Sequence, residues 1–213
     1  MMLPRAFFFD FDGTLVDSNR IKREAFFYVT RNIPGSRTVL EKIFQDQPET
    51  SRFEILKRIQ HECSGKGVGL ISADRLIQRY GEITRTLIDR APEIPGTHDL
   101  LSALHRDSVL LFICSMTPEN DLVQLVNRRT WGSLFSSVRG IPPSKLEAVR
   151  LLQKEFELDS QECFFVGDSA NDRAVAKLTC KKFFFVTERE NISATDGESF
   201  VRDMADLHTA LYY

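Results

Sequence analysis

Four short apolar runs break an otherwise mixed chain: Ala6–Phe9, Val109–Ile113, Cys163–Val166 and Phe183–Val186. Each has the length of a strand. Each is continuous rather than alternating, the pattern of strands covered on both faces. Ser136–Arg139 predicts one further short strand. Between the runs, apolar residues recur three and four positions apart at Leu100–Leu104, Leu122–Val126 and Leu146–Leu152, the spacing of helices with one buried stripe. Strand and helix in alternation predict an α/β fold built on a doubly wound parallel sheet.

Residues 18–90 follow a different pattern. Helical spacing covers Ile21–Tyr28, Val39–Phe44, Phe53–Ile59 and Ala73–Leu87, with a glycine-rich loop at Gly65–Gly69 and no strand-like run. Pro92 and Pro95-Gly96 mark the return to strand–helix alternation. The expected organisation is an α/β core of residues 1–17 and 91–213 with an inserted all-helical module, 18–90. The polar tail after Val186 is expected to end in a helix near Met204–Leu211.

Three of the apolar runs end in a polar group: Asp10, Ser115 and Asp168. Ligands of open parallel sheets bind at the carboxyl ends of the strands, so distant segments are expected to deliver two carboxylates and a hydroxyl to one edge. The formal net charge of −2 gives no general basic field for nucleic acid or an anionic membrane. No apolar run approaches the ~18 residues of a membrane span. The opening MMLPRAFFFDFDG reaches acidic residues too soon for a signal peptide, so a cytoplasmic protein is expected. Cys63, Cys114, Cys163 and Cys180 show no metal-ligand spacing and read as reduced thiols.

Asp10 and Asp12, two positions apart in extended chain, point to one side, and Gly13 permits a sharp turn beyond them. This DxDGT signature after an apolar strand resembles the haloacid dehalogenase superfamily of phosphohydrolases, with a Rossmann-type core. The resemblance runs through four motifs in order along nearly the whole chain. It implies that Asp10 is the nucleophile that forms an aspartyl-phosphate, and that Asp12 is the general acid and base, its backbone carbonyl touching a metal ion. Asp17-Ser18 matches an extension of the motif that marks the hinge to a cap.

The second motif, Phe112–Glu119, implies that Ser115 binds a phosphate oxygen, helped by the Met116 backbone N–H. Many relatives carry Asn where Met116 stands. Thr117-Pro118 reads locally as a helix N-cap followed by a first-turn proline. Lys145 follows Ser144 in a capping box closed by Glu147. The resemblance gives Lys145 the task of stabilising charge on Asp10 and the phosphoryl group. In Gly167–Asp172, Asp168 is implied as a direct ligand of Mg²⁺. Asp172 reaches the metal through water or orients Lys145; Ser169 and Asp172 also form a capping pair. Mg²⁺ suits an oxygen-rich carboxylate cluster, whose charges would otherwise repel.

The helical insert resembles the cap of the phosphoglycolate phosphatase and β-phosphoglucomutase branch. Thr50–Glu54 resembles that branch's GxSR segment, with Glu49 in place of Gly. Two readings stand for Arg52: a contact to substrate phosphate or carboxylate, or a solvated residue behind a Ser51–Glu54 cap. Lys22 falls where the mutases place a His. The stretch Asp17–Lys22 also resembles phosphatases of surface-carbohydrate and nucleotide-sugar synthesis, and Lys22 reads either as a substrate contact or as an exposed helix residue. Arg79 is a fainter candidate. The resemblance therefore implies a Mg²⁺-dependent hydrolase of a small phosphorylated metabolite, a sugar phosphate or phosphoglycolate-like acid, working as monomer or homodimer. A phosphosugar mutase and a catalytically weak binding protein are the alternatives.

Overall fold

In the computed structural model, residues 3–47, 50–63, 72–187 and 197–213 are described. The chain forms two compact units, Met1–Asp17 with Ala91–Tyr213, and Ser18–Arg90. The first contains β1 (Ala6–Phe9), β2 (Leu110–Pro118), β3 (Ser137–Ile141), β4 (Cys163–Gly167), β5 (Lys182–Val186) and β6 (Glu198–Val201). They form one sheet in the order β3-β2-β1-β4-β5-β6, with every neighbouring pair parallel. Among the described residues the helices are α1 (Asn19–Thr30), α2 (Ser36–Asp46), α3 (Arg52–Cys63) and α4 (Ala73–Ile88) in the second unit, and α5 (Thr97–Arg106), α6 (Glu119–Asn127), α7 (Lys145–Glu155), α8 (Ala170–Thr179) and α9 (Met204–Tyr212) in the first.

The unbroken apolar run of β1 has its cause in the packing. All four of its side chains are inaccessible to solvent. Phe8 packs with Phe112, Phe165 and the apolar residues Ala148, Val149 and Leu152 of α7 and Val175 of α8. Phe7 instead meets Phe164 and Phe184, with ring centroids 5.5 and 6.5 Å away. Successive side chains of a strand point to opposite faces, so both faces of β1 are covered.

Two segments differ from the sequence reading. β2 does not end at Ile113 but continues through Ser115 and Thr117 to Pro118, pairing with β3 across a register shift between Cys114 and Pro118. α6 starts at Glu119, with Pro118 rather than Thr117 at the N-cap position. Proline disfavours helical backbone in the residue before it, so Thr117 stays extended. β6 is the second difference: Glu198–Val201 adds an edge strand parallel to β5 where the tail read only as polar. Half of its residues are polar, and an edge strand needs no continuous apolar run.

The helical unit has its own core. Phe26, Val29, Leu40, Ile43, Ile55, Leu56, Ile59, Leu76 and Tyr80 form one buried cluster. The rings of Phe26 and Tyr80 stack with centroids 4.2 Å apart. Ser72 caps α4 by accepting from the Arg75 N–H at 3.3 Å. The loop read at Gly65–Gly69 lies outside the described residues, as does Glu49.

Candidate active site

β1 is the point at which the strand order reverses: β2 lies on one side and β4 on the other. Phe9 is in register with both Ile113 and Val166. The chain beyond Phe9 therefore emerges between the polar extension of β2 and the turn after β4. The Asp10 N–H donates to the Val166 carbonyl at 2.9 Å, which fixes the nucleophile candidate at the sheet's carboxyl edge. Beyond it the chain turns at Gly13, whose φ of 79° is a left-handed conformation that glycine adopts freely. The Gly13 N–H then donates to the Val16 carbonyl at 2.7 Å.

Lys145 joins the acidic segments. It opens α7 behind a complete Ser144–Glu147 capping box. Its Nζ donates to Asp10 Oδ1 at 2.8 Å and to Asp172 Oδ1 at 2.5 Å. Lys145 is 4% exposed and Asp172 fully buried, so solvent screens neither bond. Asp172 bonds both Ser169 and Lys145. Its Oδ2 accepts from the Ser169 hydroxyl at 2.6 Å and the Ser169 N–H at 3.1 Å, capping α8, while Oδ1 orients Lys145. Gly167 makes room for this: a Cβ there would fall 2.5 Å from the Asp172 side chain.

Burial raises the Asp10 pKa to about 8; Lys145 opposes the rise, and Asp172, Asp168 and Asp12 add to it. Burial works against the Lys145 ammonium, but the charges of Asp10 and Asp172 outweigh it and push its pKa up. One cation thus faces several carboxylates. Oxygens of Asp10, Asp168 and Asp172 lie within 4.8 Å of one another. Such a donor set, all oxygen and with excess negative charge, fits a hard divalent cation. Asp12 adds no carboxylate oxygen to this trio.

Asp12 is held elsewhere: its Oδ2 accepts from the Thr117 hydroxyl at 2.8 Å. The Thr117 N–H in turn donates to Ser115 Oγ at 3.2 Å, and Ser115 is 2% exposed. Met116, between them, is 44% exposed. Arg52 and Lys22 belong to the helical unit. There the Arg52 guanidinium lies over the Tyr80 ring, 5.5 Å from its centroid, and the Tyr80 hydroxyl donates to the Lys22 carbonyl at 3.4 Å. Glu54 N–H donates to Ser51 Oγ at 3.3 Å, so the capping reading of that segment is realised in part. Arg79 is exposed.

The sequence reading missed Thr117 as a partner of Asp12, and Thr14, whose hydroxyl lies 3.5 Å from Asp168 Oδ1. A signal for Thr117 existed. It stands two residues after Ser115, as Asp12 stands two after Asp10, and in extended chain that spacing puts both groups on one side.

A doubly wound sheet with a buried lysine and clustered aspartates at its switch point has the build of an α/β enzyme. The chain belongs to the haloacid dehalogenase-like hydrolases, whose family model matches residues 4–178. It is 29% identical to phosphoglycolate phosphatase of Synechococcus elongatus, over 97% of each chain. It is 26% identical to phosphoglycolate phosphatase 1 of Pseudomonas aeruginosa over 82% of its own length, and spans 66% of that relative. Among solved structures, CbbY from Rhodobacter sphaeroides in complex with phosphate shares the fold, with a TM-score of 0.74, 18% identity and 96% of both chains covered. No described helix is long and apolar enough to cross a membrane.

Proposed function

We propose that the protein is a Mg²⁺-dependent phosphatase that hydrolyses a small phosphate monoester through an aspartyl-phosphate on Asp10. The observation that carries this reading is the buried Lys145 ammonium bonded to Asp10 and Asp172 beside Asp168 at the end of β1. Asp10, Asp168 and Asp172 would hold the Mg²⁺, together with the backbone carbonyl of Asp12. Bound there, the ion neutralises carboxylate charge and polarises a phosphate oxygen.

In the first step a carboxylate oxygen of Asp10 attacks phosphorus, the bond from phosphorus to the ester oxygen breaks, and Asp12 gives its proton to the leaving alkoxide. In the second, Asp12 takes a proton from water. The resulting hydroxide attacks phosphorus, and Asp10 and inorganic phosphate are released. Lys145 offsets the charge of Asp10 and the transferring group, while Ser115 and the Met116 N–H hold a non-transferring oxygen. Named phosphoglycolate phosphatases at 26% and 29% identity support a small phosphorylated acid as substrate. Arg52 and Lys22, from a helical cap, are the groups proposed to select it.

The test is phosphate release from 4-nitrophenyl phosphate and a panel of phosphorylated metabolites in the presence of Mg²⁺. Turnover that Asp10→Asn abolishes supports the reading. No release from any compound on the panel contradicts it. Interconversion of hexose 1- and 6-phosphates without release would make the protein a mutase.

A further inference from the structure

We propose that Thr117 is the positioning residue of Asp12: its hydroxyl fixes the carboxyl so that Oδ1 is the oxygen that gives and takes the catalytic proton. The inference rests on the phosphatase reading and adds to it a residue whose side chain need not touch substrate. The Thr117 hydroxyl donates to Asp12 Oδ2 at 2.8 Å, and both side chains are buried, at 4% and 6% exposure. While the Thr117 hydroxyl donates to Oδ2, a proton on the carboxyl is favoured on Oδ1. The bond therefore selects the reactive oxygen as well as the rotamer.

The backbone around Thr117 is built to hold this hydroxyl in place. Pro118 keeps Thr117 extended rather than helical. The Thr117 N–H is tied to Ser115 Oγ at 3.2 Å, which couples Asp12's partner to the hydroxyl proposed to bind phosphate. β3 approaches so closely that a Cβ on Gly140 would lie 2.4 Å from the Thr117 carbonyl oxygen. The Gly140 N–H donates to Glu119 Oε2 at 3.2 Å, pinning the start of α6 to the same point. A threonine needed only as a helix cap would accept from backbone N–H groups of the following turn. Here Pro118 holds the N-cap position of α6, and the Thr117 hydroxyl is directed to a carboxylate 105 residues away.

The two steps separate a positioning role from a structural one. 4-Nitrophenolate leaves readily without a proton, whereas an alkoxide does not, and breakdown of the phosphoenzyme needs Asp12 for either ester. Thr117→Val keeps the shape and removes the hydroxyl. It should lower kcat for an alkyl phosphate by about 10- to 10²-fold, the scale of a misplaced catalytic group, with KM within about twofold. With 4-nitrophenyl phosphate it should release the first nitrophenolate at the parent rate and then turn over slowly. Thr117→Ser should restore both. If Thr117→Val is poorly folded, Thr117→Ala and Thr117→Ser give the same contrast. Parent-like kcat in Thr117→Val or Thr117→Ala overturns the proposal. So does equal loss in the first and later turnovers, or failure of serine to rescue. Each of these leaves the phosphatase reading standing if Asp10→Asn is inactive; an active Asp10→Asn contradicts that reading itself.

Discussion

The two units use polar residues in opposite ways. In the helical unit, charge is kept at the surface: Arg20–Glu24 and Arg37–Glu41 are exposed pairs one helical turn apart. Thr30, Ser36 and Thr84, buried in this unit, donate their hydroxyls to backbone carbonyls. The α/β unit buries Asp10, Asp12, Lys145 and Asp172 together at one sheet edge. Taking charges out of water is costly, and a buried ion pair rarely repays it in stability. Several carboxylates buried around one ammonium mark the α/β unit as the place of the proposed chemistry.

Four substitutions or conditions would sharpen or break that contrast. The largest effect is expected for Lys145→Met, which leaves Asp10 and Asp172 without their ammonium. Turnover of a phosphate ester should fall on the order of 10³-fold. A variant that keeps parent turnover would remove Lys145 from the mechanism. Next is the pH dependence of cation binding. Asp10, raised to about 8 by burial, holds its proton below that pH, so a bound cation must displace it. Mg²⁺ affinity should therefore strengthen as pH rises from 6 towards 8, by up to about tenfold per unit, in calorimetric titrations. Equal affinities at both ends would contradict the cluster's assignment.

The remaining two concern the helical unit. Ile59→Val, in its apolar core, should lower stability by about 0.5–1.5 kcal/mol in urea unfolding, with the chemical steps on the α/β unit unchanged. A loss of Mg²⁺ binding on this substitution would break the division of labour. Arg20→Gln removes an exposed pair and should change stability by less than about 0.5 kcal/mol in the same experiment.

Much of this was legible before any coordinates. Phe7, Phe8 and Phe9 announced a strand covered on both faces, and Asp10 announced a carboxylate at its carboxyl end, because burial and strand-end position leave direct marks in sequence. The 3.6-residue spacing of the helical stretches survived for the same reason. β6 was not legible: Glu198 and Ser199 interrupt the apolar pattern, and its partner β5 supplies the pairing. Thr117 was misread because threonine before proline fits a helix start locally. Its true partner, Asp12, is 105 residues distant, and only the folded sheet brings the two hydroxyl-bearing and carboxylate-bearing segments together. Local propensity yielded to a tertiary contact there. Whether Arg52 contacts substrate or is solvated behind a Ser51–Glu54 cap was open in the sequence for a similar reason: the ring beneath its guanidinium, Tyr80, comes from another helix.

The central claim is a covalent bond between Asp10 and phosphorus. Rapid quenching of the working enzyme with borohydride, which reduces an acyl phosphate to an alcohol, tests it directly. Peptide mass spectrometry should then find homoserine at position 10, dependent on both substrate and Mg²⁺. Full turnover with position 10 unmodified, under conditions that reduce an authentic acyl phosphate, would contradict the account.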